Sequence, residues 1–404
     1  MTAWGGRLEN PVSDRLRNPA TTGYVALALG AFAAFLAIPP IEARSPLWPI
    51  AVGIVAIALG IWTATRGRRK LGWGAAVCGL LGIGLGILAT RSGTTNLETV
   101  FDATLIGQTF GFATPLVFGA IAGMLSERSG IINIALEGMM LMGAFWAVYG
   151  SDKGGSWVVG LLIGMLSGGL LAVVLAYFAI HLRSDQIVVG IGINFLALGI
   201  TGYFFQLIYN GQVSGNVSTV PNVHIGGLGH VLENSIGNLS ILTWASFVLV
   251  IVAYVVFFKT PLGLRIRACG EHPRAADTVG INVYLVRYCA VIASGLLVAI
   301  GGVYLSLGPT GNGTFIDNTT SGKGYIALAA MIFGNWRPAG AFAACLLFGF
   351  SSALALKLQA YQHLFAGAPT LFAILPYVLT LVAFAGVIGR VVPPAAEGKP
   401  YTKQ

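Results

Sequence analysis

The chain is expected to be an all-α, polytopic helical membrane protein with about 11–12 spans, at least one of them broken or re-entrant. Three observations carry that expectation. Mean hydropathy is +0.80, with 56% hydrophobic and only 9% charged residues. Runs such as Trp157 to Ile180 and Ile241 to Phe258 contain no charge. The formal net charge of +9 is concentrated in alternate loops between the apolar runs rather than spread along the chain.

Apolar segments are predicted at 23–38, 49–65, 71–89, 103–124, 131–149, 157–181, 187–209, 240–258, 285–308, 323–335, 339–356 and 369–388. Residues 1–20 are polar, and no small-residue cleavage motif follows the first apolar run, so that run is expected to stay as a helix. With both termini inside, all but five (Arg44, Arg91, Lys153, Lys323, Lys357) of the 23 Lys and Arg residues fall on the cytoplasmic side. This is the positive-inside signature, so the basicity reports topology rather than nucleic-acid binding. Arg66, Arg68, Arg69 and Lys70 anchor the loop after the second span, whereas 210–239 on the opposite face has no Lys or Arg. The 56 glycines follow no Gly-X-Y period. Gly160, Gly164 and Gly168 instead form a small-residue face suited to close helix packing within the bundle.

Two spans are irregular. The run 323–335 is shorter than the roughly 20 residues a straight crossing needs, so it is expected to be a half-span packed inside protein. Gly308 to Gly324, rich in Gly, Asn and Thr, is expected to be a tight outer loop leading into it. The span 131–149 carries Asn133 and Glu137, four residues apart and hence on one helical face. A charge at a span centre costs about 2.5–3.5 kcal/mol, which turns Glu137 toward the bundle or a wet cavity. Two readings stay open. Asn133, Glu137 and Asn194 line a translocation path, or they are hydrogen-bonded pins between helices.

Between the runs 240–258 and 285–308 lies the polar segment Pro261 to Asn282, with Arg265, Arg267 and Arg274. Pro273 suits a first helical position and Gly280 a left-handed stop, which predicts a short helix over Arg274 to Val279. On chemistry alone it is either a docking element for a soluble partner or an ordinary basic loop.

No GxxxxGK[ST] phosphate loop, HExxH or GxSxG motif occurs, and the five histidines are scattered. Cys78, Cys269, Cys289 and Cys345 show no metal-ligand spacing and are expected to be free thiols. The chain is therefore expected to have no catalytic residues, no metal and no bound cofactor.

Ser126 to Phe145 (SERSGIINIALEGMMLMGAF), Asp185 to Asn194 (DQIVVGIGIN), Leu262 to Asn282 followed by Ser294 to Gly302 (SGLLVAIGG), and Gly322 to Gly340 (GKGYIALAAMIFGNWRPAG) come in an order and spacing that resemble one family. It is the permease subunits of ATP-binding-cassette importers for nucleosides and simple sugars, served by basic-membrane-protein-type lipoproteins and related to branched-chain amino acid permeases. The resemblance implies a permease core over 100–390 and a cytoplasmic tail over 391–404. Residues 1–99 are an extension with about three further helices.

It also implies a multi-pass protein of a prokaryotic plasma membrane that imports a nucleoside or simple sugar. ATP would be hydrolysed by a separate cytoplasmic ATPase, coupled through Arg265, Arg267, Glu271, Pro273, Arg274, Ala275, Ala276, Asp277 and Gly280. A second, non-identical permease and an extracytoplasmic substrate-binding lipoprotein complete the implied assembly. The competing reading is an ion-coupled secondary transporter that uses Glu137. Such carriers also have broken helices near the midplane, but they need no basic docking helix.

Overall fold

A computed structural model of the chain describes residues 19–36, 47–91, 103–212, 217–225, 235–360 and 392–402. Helix dominates, and six of the described helices are long and apolar enough to cross a membrane. The predicted run 369–388 lies outside the described residues. The chain divides into two compact units, one of 1–105 with 354–389 and the other of 106–353 with 390–404.

In the first unit α1 (Pro19–Leu36), α2 (Leu47–Thr65) and α3 (Arg69–Arg91) pack on one another. Glycines set the spacing: a Cβ on Gly60 would stand 2.7 Å from the Gly72 carbonyl, and one on Gly79 would stand 2.8 Å from the Gly53 carbonyl. Backbones that close exclude any larger side chain.

The second unit holds most of α4 (Ala103–Glu127), α5 (Leu136–Gly154), α6 (Trp157–Ala176), α7 (Gln186–Tyr209), α8 (Ile241–Lys259), α11 (Val283–Leu307), α12 (Lys323–Phe333) and part of α13 (Pro338–Ala360). A five-residue π turn, Tyr177–His181, ends α6. Polar residues mark the starts. Ser156, Asp185 and Ser240 each accept a backbone N–H from the first turn of the helix that follows, which satisfies donors a helix cannot pair internally.

The core of this unit is the stack α5–α6–α11. Gly160, Gly164 and Gly168 face it, as the spacing predicts: added Cβ atoms would stand 2.5 Å from the Ala147 carbonyl, 2.8 Å from Gly143 O and 2.6 Å from Ala299 Cβ. The unit has two ends. One gathers Arg128, Arg267, Arg274, Arg337 and residues 392–402, linked by hydrogen bonds such as Gly398 N to Gly130 O, 3.1 Å. At the other, a small antiparallel ribbon, β1 (Asn222–His224) with β2 (Asn238–Ser240), sits near the end of α11 through Val220 N to Leu307 O, 2.9 Å.

Two spans depart from simple helices. The predicted run 131–149 becomes helical only at Leu136, and 131–135 runs non-helically through the interior. The run 323–335 is the half-helix α12, as its length requires, and the preceding loop is no mere surface turn, since Thr320 and Gly322 reach the buried Glu137.

Replacing Gly164 by Leu should overpack the α5–α6–α11 stack and cost about 1–3 kcal/mol, seen as a lower Tm in detergent. Gly192→Ala on α7, where nothing stands within 4 Å, should leave Tm unchanged.

Candidate functional site

Asn133, Glu137 and Asn194 come together as one interior joint. Glu137, 8% exposed, lies in the first turn of α5, and its carboxylate accepts three hydrogen bonds from protein donors. Oε1 accepts from Thr320 Oγ1 at 2.6 Å and from Gly322 N at 2.8 Å, while Oε2 accepts from Gly324 N at 2.6 Å. Gly322 and Gly324 begin α12, so the anion sits where the N-terminal N–H groups and dipole of a half-helix favour it. Gly324 has no room for a Cβ, which would meet Glu137 Cα at 2.5 Å.

Asn194 works from α7: its Oδ1 accepts from Gly138 N at 2.8 Å and its Nδ2 donates to Ile134 O and Tyr325 OH. Asn133 donates to Ser294 Oγ on α11 at 3.1 Å, and its Oδ1 is buried without a partner. Glu137 and Asn194 thus meet backbone groups at the starts of α5 and α12, whereas Asn133 bonds only side chains.

A small cavity of about 200 Å³ opens elsewhere, lined by Gly111, Phe112 and Pro115 of α4, Leu305 of α11, Thr310, Thr314 and Thr319 of the 308–322 loop, and Lys323. Pro115 has no N–H, so the Gly111 carbonyl lacks its usual intrahelical donor. The lining is thus mixed: threonines and Lys323 supply polar groups, and Phe112, Leu305 and Ile316 apolar ones. The loop residues lie in the Gly, Asn and Thr-rich segment that stood out in the sequence, whereas those of α4 and α11 escaped because no motif marks them; a proline inside an apolar run was the available signal.

At the basic end, residues 261–282 form two short helices, α9 (Pro261–Glu271) and α10 (Pro273–Thr278), where the sequence predicts one. Pro occupies the first position of each, and Gly280 takes the left-handed stop at φ +84°. Gly270 approaches the Arg128 carbonyl so closely that no Cβ fits, which presses α9 onto the α4–α5 junction. Arg267 is half-buried over the Phe258 ring at 5.2 Å, a cation–π contact that Arg128 shares at 5.8 Å. Burial and then the neighbouring Arg267 push Arg128 below the ordinary arginine range.

The predicted coupling residues divide by exposure. Arg265, Glu271, Arg274, Ala275 and Gly280 face outward, whereas Ala276 is buried with Cys269, Val283 and Tyr401, and Asp277 pairs with the Tyr401 hydroxyl. Val279, 74% exposed, is an apolar side chain presented at the rim of this segment.

Arg287, fully inside α11, was not singled out from sequence although an arginine in an apolar span is itself a signal. It donates to three carbonyls from three segments: Ser129 O at 3.1 Å, Lys399 O at 3.4 Å and Cys269 O at 3.5 Å. Ser129 follows α4 and Cys269 lies in the last turn of α9, so a cation meets two helix C-termini. Residues 392–402 close the same region. Ala396 N donates to Gly270 O, Ala395 N to Glu271 Oε2, and Val392 N to Asn335 Oδ1. The Glu397 carboxyl hydrogen-bonds that of Glu127, which also accepts from Trp336 Nε1 at 2.7 Å. Among the described residues no three His, Cys, Asp or Glu side chains are grouped to hold a metal ion.

The family described as branched-chain amino acid transport system, permease component, matches residues 105–384. The guanosine ABC transporter permease protein NupQ of Bacillus subtilis is 41% identical over 323 residues, 76% of this chain and 97% of the relative. The nucleoside ABC transporter permease protein NupC of Lactococcus lactis is 37% identical over 309 residues, 72% of this chain and 94% of the relative. A second permease protein from each of these organisms matches at 24% identity. No solved structure matches.

Glu137→Gln places an amide N–H₂ against backbone donors and should cost about 1.5–3 kcal/mol, read as a fall in Tm. Burial holds the Glu397 carboxyl above the ordinary glutamate range. Its proton is therefore bound more tightly in the folded state, so its contribution is full below the unfolded pKa and lost as pH rises through the folded one. Proteolytic cleavage of the 392–402 segment should accelerate as pH rises above the ordinary glutamate range, and Glu397→Gln should weaken the dependence.

Proposed function

This chain belongs to the family of branched-chain amino acid transport system permease components, and from that membership we propose that it conducts nucleosides. It is a multi-pass membrane permease subunit of an ABC importer. The nucleoside reading rests on one observation: the similarity to NupQ and NupC runs over nearly the whole length of both relatives, 97% and 94%. The small cavity beside Pro115 supports it, with Phe112 as an aromatic face on which a base can stack and threonine hydroxyls to meet a ribose.

ATP is bound and hydrolysed by a separate cytoplasmic ATPase, and this chain needs no cofactor of its own. The ATPase docks on α9 and α10, where Arg265, Glu271, Arg274, Ala275 and Val279 are presented outward on a frame fixed by two prolines and Gly280. That end is cytoplasmic, and a substrate-binding lipoprotein delivers its cargo at the ribbon end. A second, non-identical permease supplies the other half of the passage, in keeping with the paired permease proteins found in the two relatives' organisms. Residues 1–99, which precede the family match, are an accessory extension. The ion-coupled alternative is disfavoured because three of the roughly four acceptor positions of the Glu137 carboxylate are already taken by Thr320, Gly322 and Gly324.

Two measurements test the reading. Proteoliposomes holding the whole transporter should take up labelled guanosine with ATP, unaffected by excess glucose; uptake of glucose alone would overturn the nucleoside assignment. Ala275→Arg, at an exposed site, should cut ATPase co-purification about tenfold without lowering Tm, the size of a central interface contact. Ala276 is unsuitable for this purpose because its side chain is buried.

A further inference from the structure

The docking surface has a second wall that no resemblance supplies. Beside α10 runs a groove of about 530 Å³, bounded on one side by Glu271, Pro273, Arg274 and Ala275 and on the other by 395–402. We infer that the C-terminal segment 392–402 is an integral wall of the ATPase-docking groove, and that the ATPase inserts a carboxylate-bearing segment between it and α10. The inference rests on the proposed docking role of α9 and α10 and extends it to a part of the chain far away in sequence.

Three observations point the same way. The segment is anchored rather than draped. Ala396 N and Gly398 N bond Gly270 O and Gly130 O, at 2.9 and 3.1 Å, and the buried Arg287 holds the Lys399 carbonyl. Tyr401 is 7% exposed, packed on Tyr284 and in the cluster with Cys269 and Ala276. The two walls are joined directly, where Ala395 N donates to Glu271 Oε2 at 3.1 Å. Such a groove is set before a partner arrives, so little ordering is lost on docking. Finally, a cation stands on each side, Arg274 on one and Lys399 on the other, while the one carboxylate of the lining, Glu271, is engaged by Ala395 N. Lys399 spends its ammonium only on the nearby Ala395 carbonyl, at 2.9 Å. An acidic occupant is what paired cations across a groove favour.

The test uses the full chain reconstituted with its ATPase. Ala395→Trp fills the groove from the C-terminal wall, and Ala275→Trp fills it from α10; both sites are exposed. Each should weaken ATPase binding about tenfold or more, and Lys399→Glu should do so with a steeper loss at low salt. Tm should not change for Lys399→Glu, which keeps the backbone carbonyl that Arg287 uses, so a folding defect in Ala395→Trp would not remove the test. If Ala275→Trp weakens binding while Ala395→Trp and Lys399→Glu bind like the parent, the C-terminal wall is rejected and the docking role of α10 stands. Full binding by all three variants would overturn both.

Discussion

One carboxylate makes the interior of this protein possible. Two helices, α5 and α12, start inside the bundle instead of at a surface, and each start leaves backbone N–H groups with no intrahelical acceptor. In a membrane such groups have no water to turn to. Glu137 sits in the first turn of one helix and accepts from the first N–H groups of the other, while Asn194 caps Gly138 and ties down Tyr325. Without the anion the 308–322 loop keeps Phe315, packed between Phe145 and Phe205, but loses the bonds that hold Thr320 and Gly322 at the head of α12. The end of the loop that leads into the half-helix therefore depends on Glu137.

The basic end solves the matching problem with the opposite charge. The α4–α5 junction, the end of α9 and the C-terminal segment all bring carbonyls to one place, and Arg287 from α11 collects them. A buried guanidinium with no carboxylate beside it would be costly, yet helix C-termini and unpaired carbonyls supply the negative potential it needs. Gly130 and Gly270 are small because the junction is crowded: a Cβ on Gly130 would stand 2.6 Å from Arg287 Nη2. The short helices α9 and α10 are thus seated on the bundle rather than held by a flexible linker.

Sequence periodicity revealed the helices readily, since an apolar run bounded by Ser, Asp or Pro leaves little freedom. It also exposed the half-span, because 323–335 is too short to cross. The later start of α5, at Leu136, was less legible. IINIALEGMM is as apolar as a helix, and only the tertiary bonds of Asn133 and Asn194 explain why its first residues stay unwound. Glu137 and Asn194 stood out as polar residues in apolar surroundings, but lining and pinning predict the same composition, and only hydrogen-bond partners separate them. Arg287 was visible as an arginine in an apolar span, but its partners, and the docking of 392–402, were not. Those are contacts to backbone carbonyls and amides, which any sequence can offer, most of them between segments more than a hundred residues apart.

The two charged centres are joined by one rigid element. The half-helix α12 begins at Glu137's carboxylate and runs into a turn that holds Trp336, whose indole bonds Glu127 and whose carbonyl accepts from Arg128 Nη2 at 2.6 Å. Arg128 precedes the Gly130 that the C-terminal segment holds, and its carbonyl lies against Gly270 of α9. A force on α9 and α10 therefore meets the foot of α12 through packed backbone, with no flexible linker between. At the head of α12 stands Lys323, which borders the cavity, beside Thr319 and Thr320. If the docking segment moves, α12 either moves with it as a body or gives up buried hydrogen bonds at one of its ends, and the first is the cheaper. An 11-residue helix capped at both ends by charged groups is short enough to tilt without bending, so tilting it would change the shape of the cavity while leaving the long spans in place.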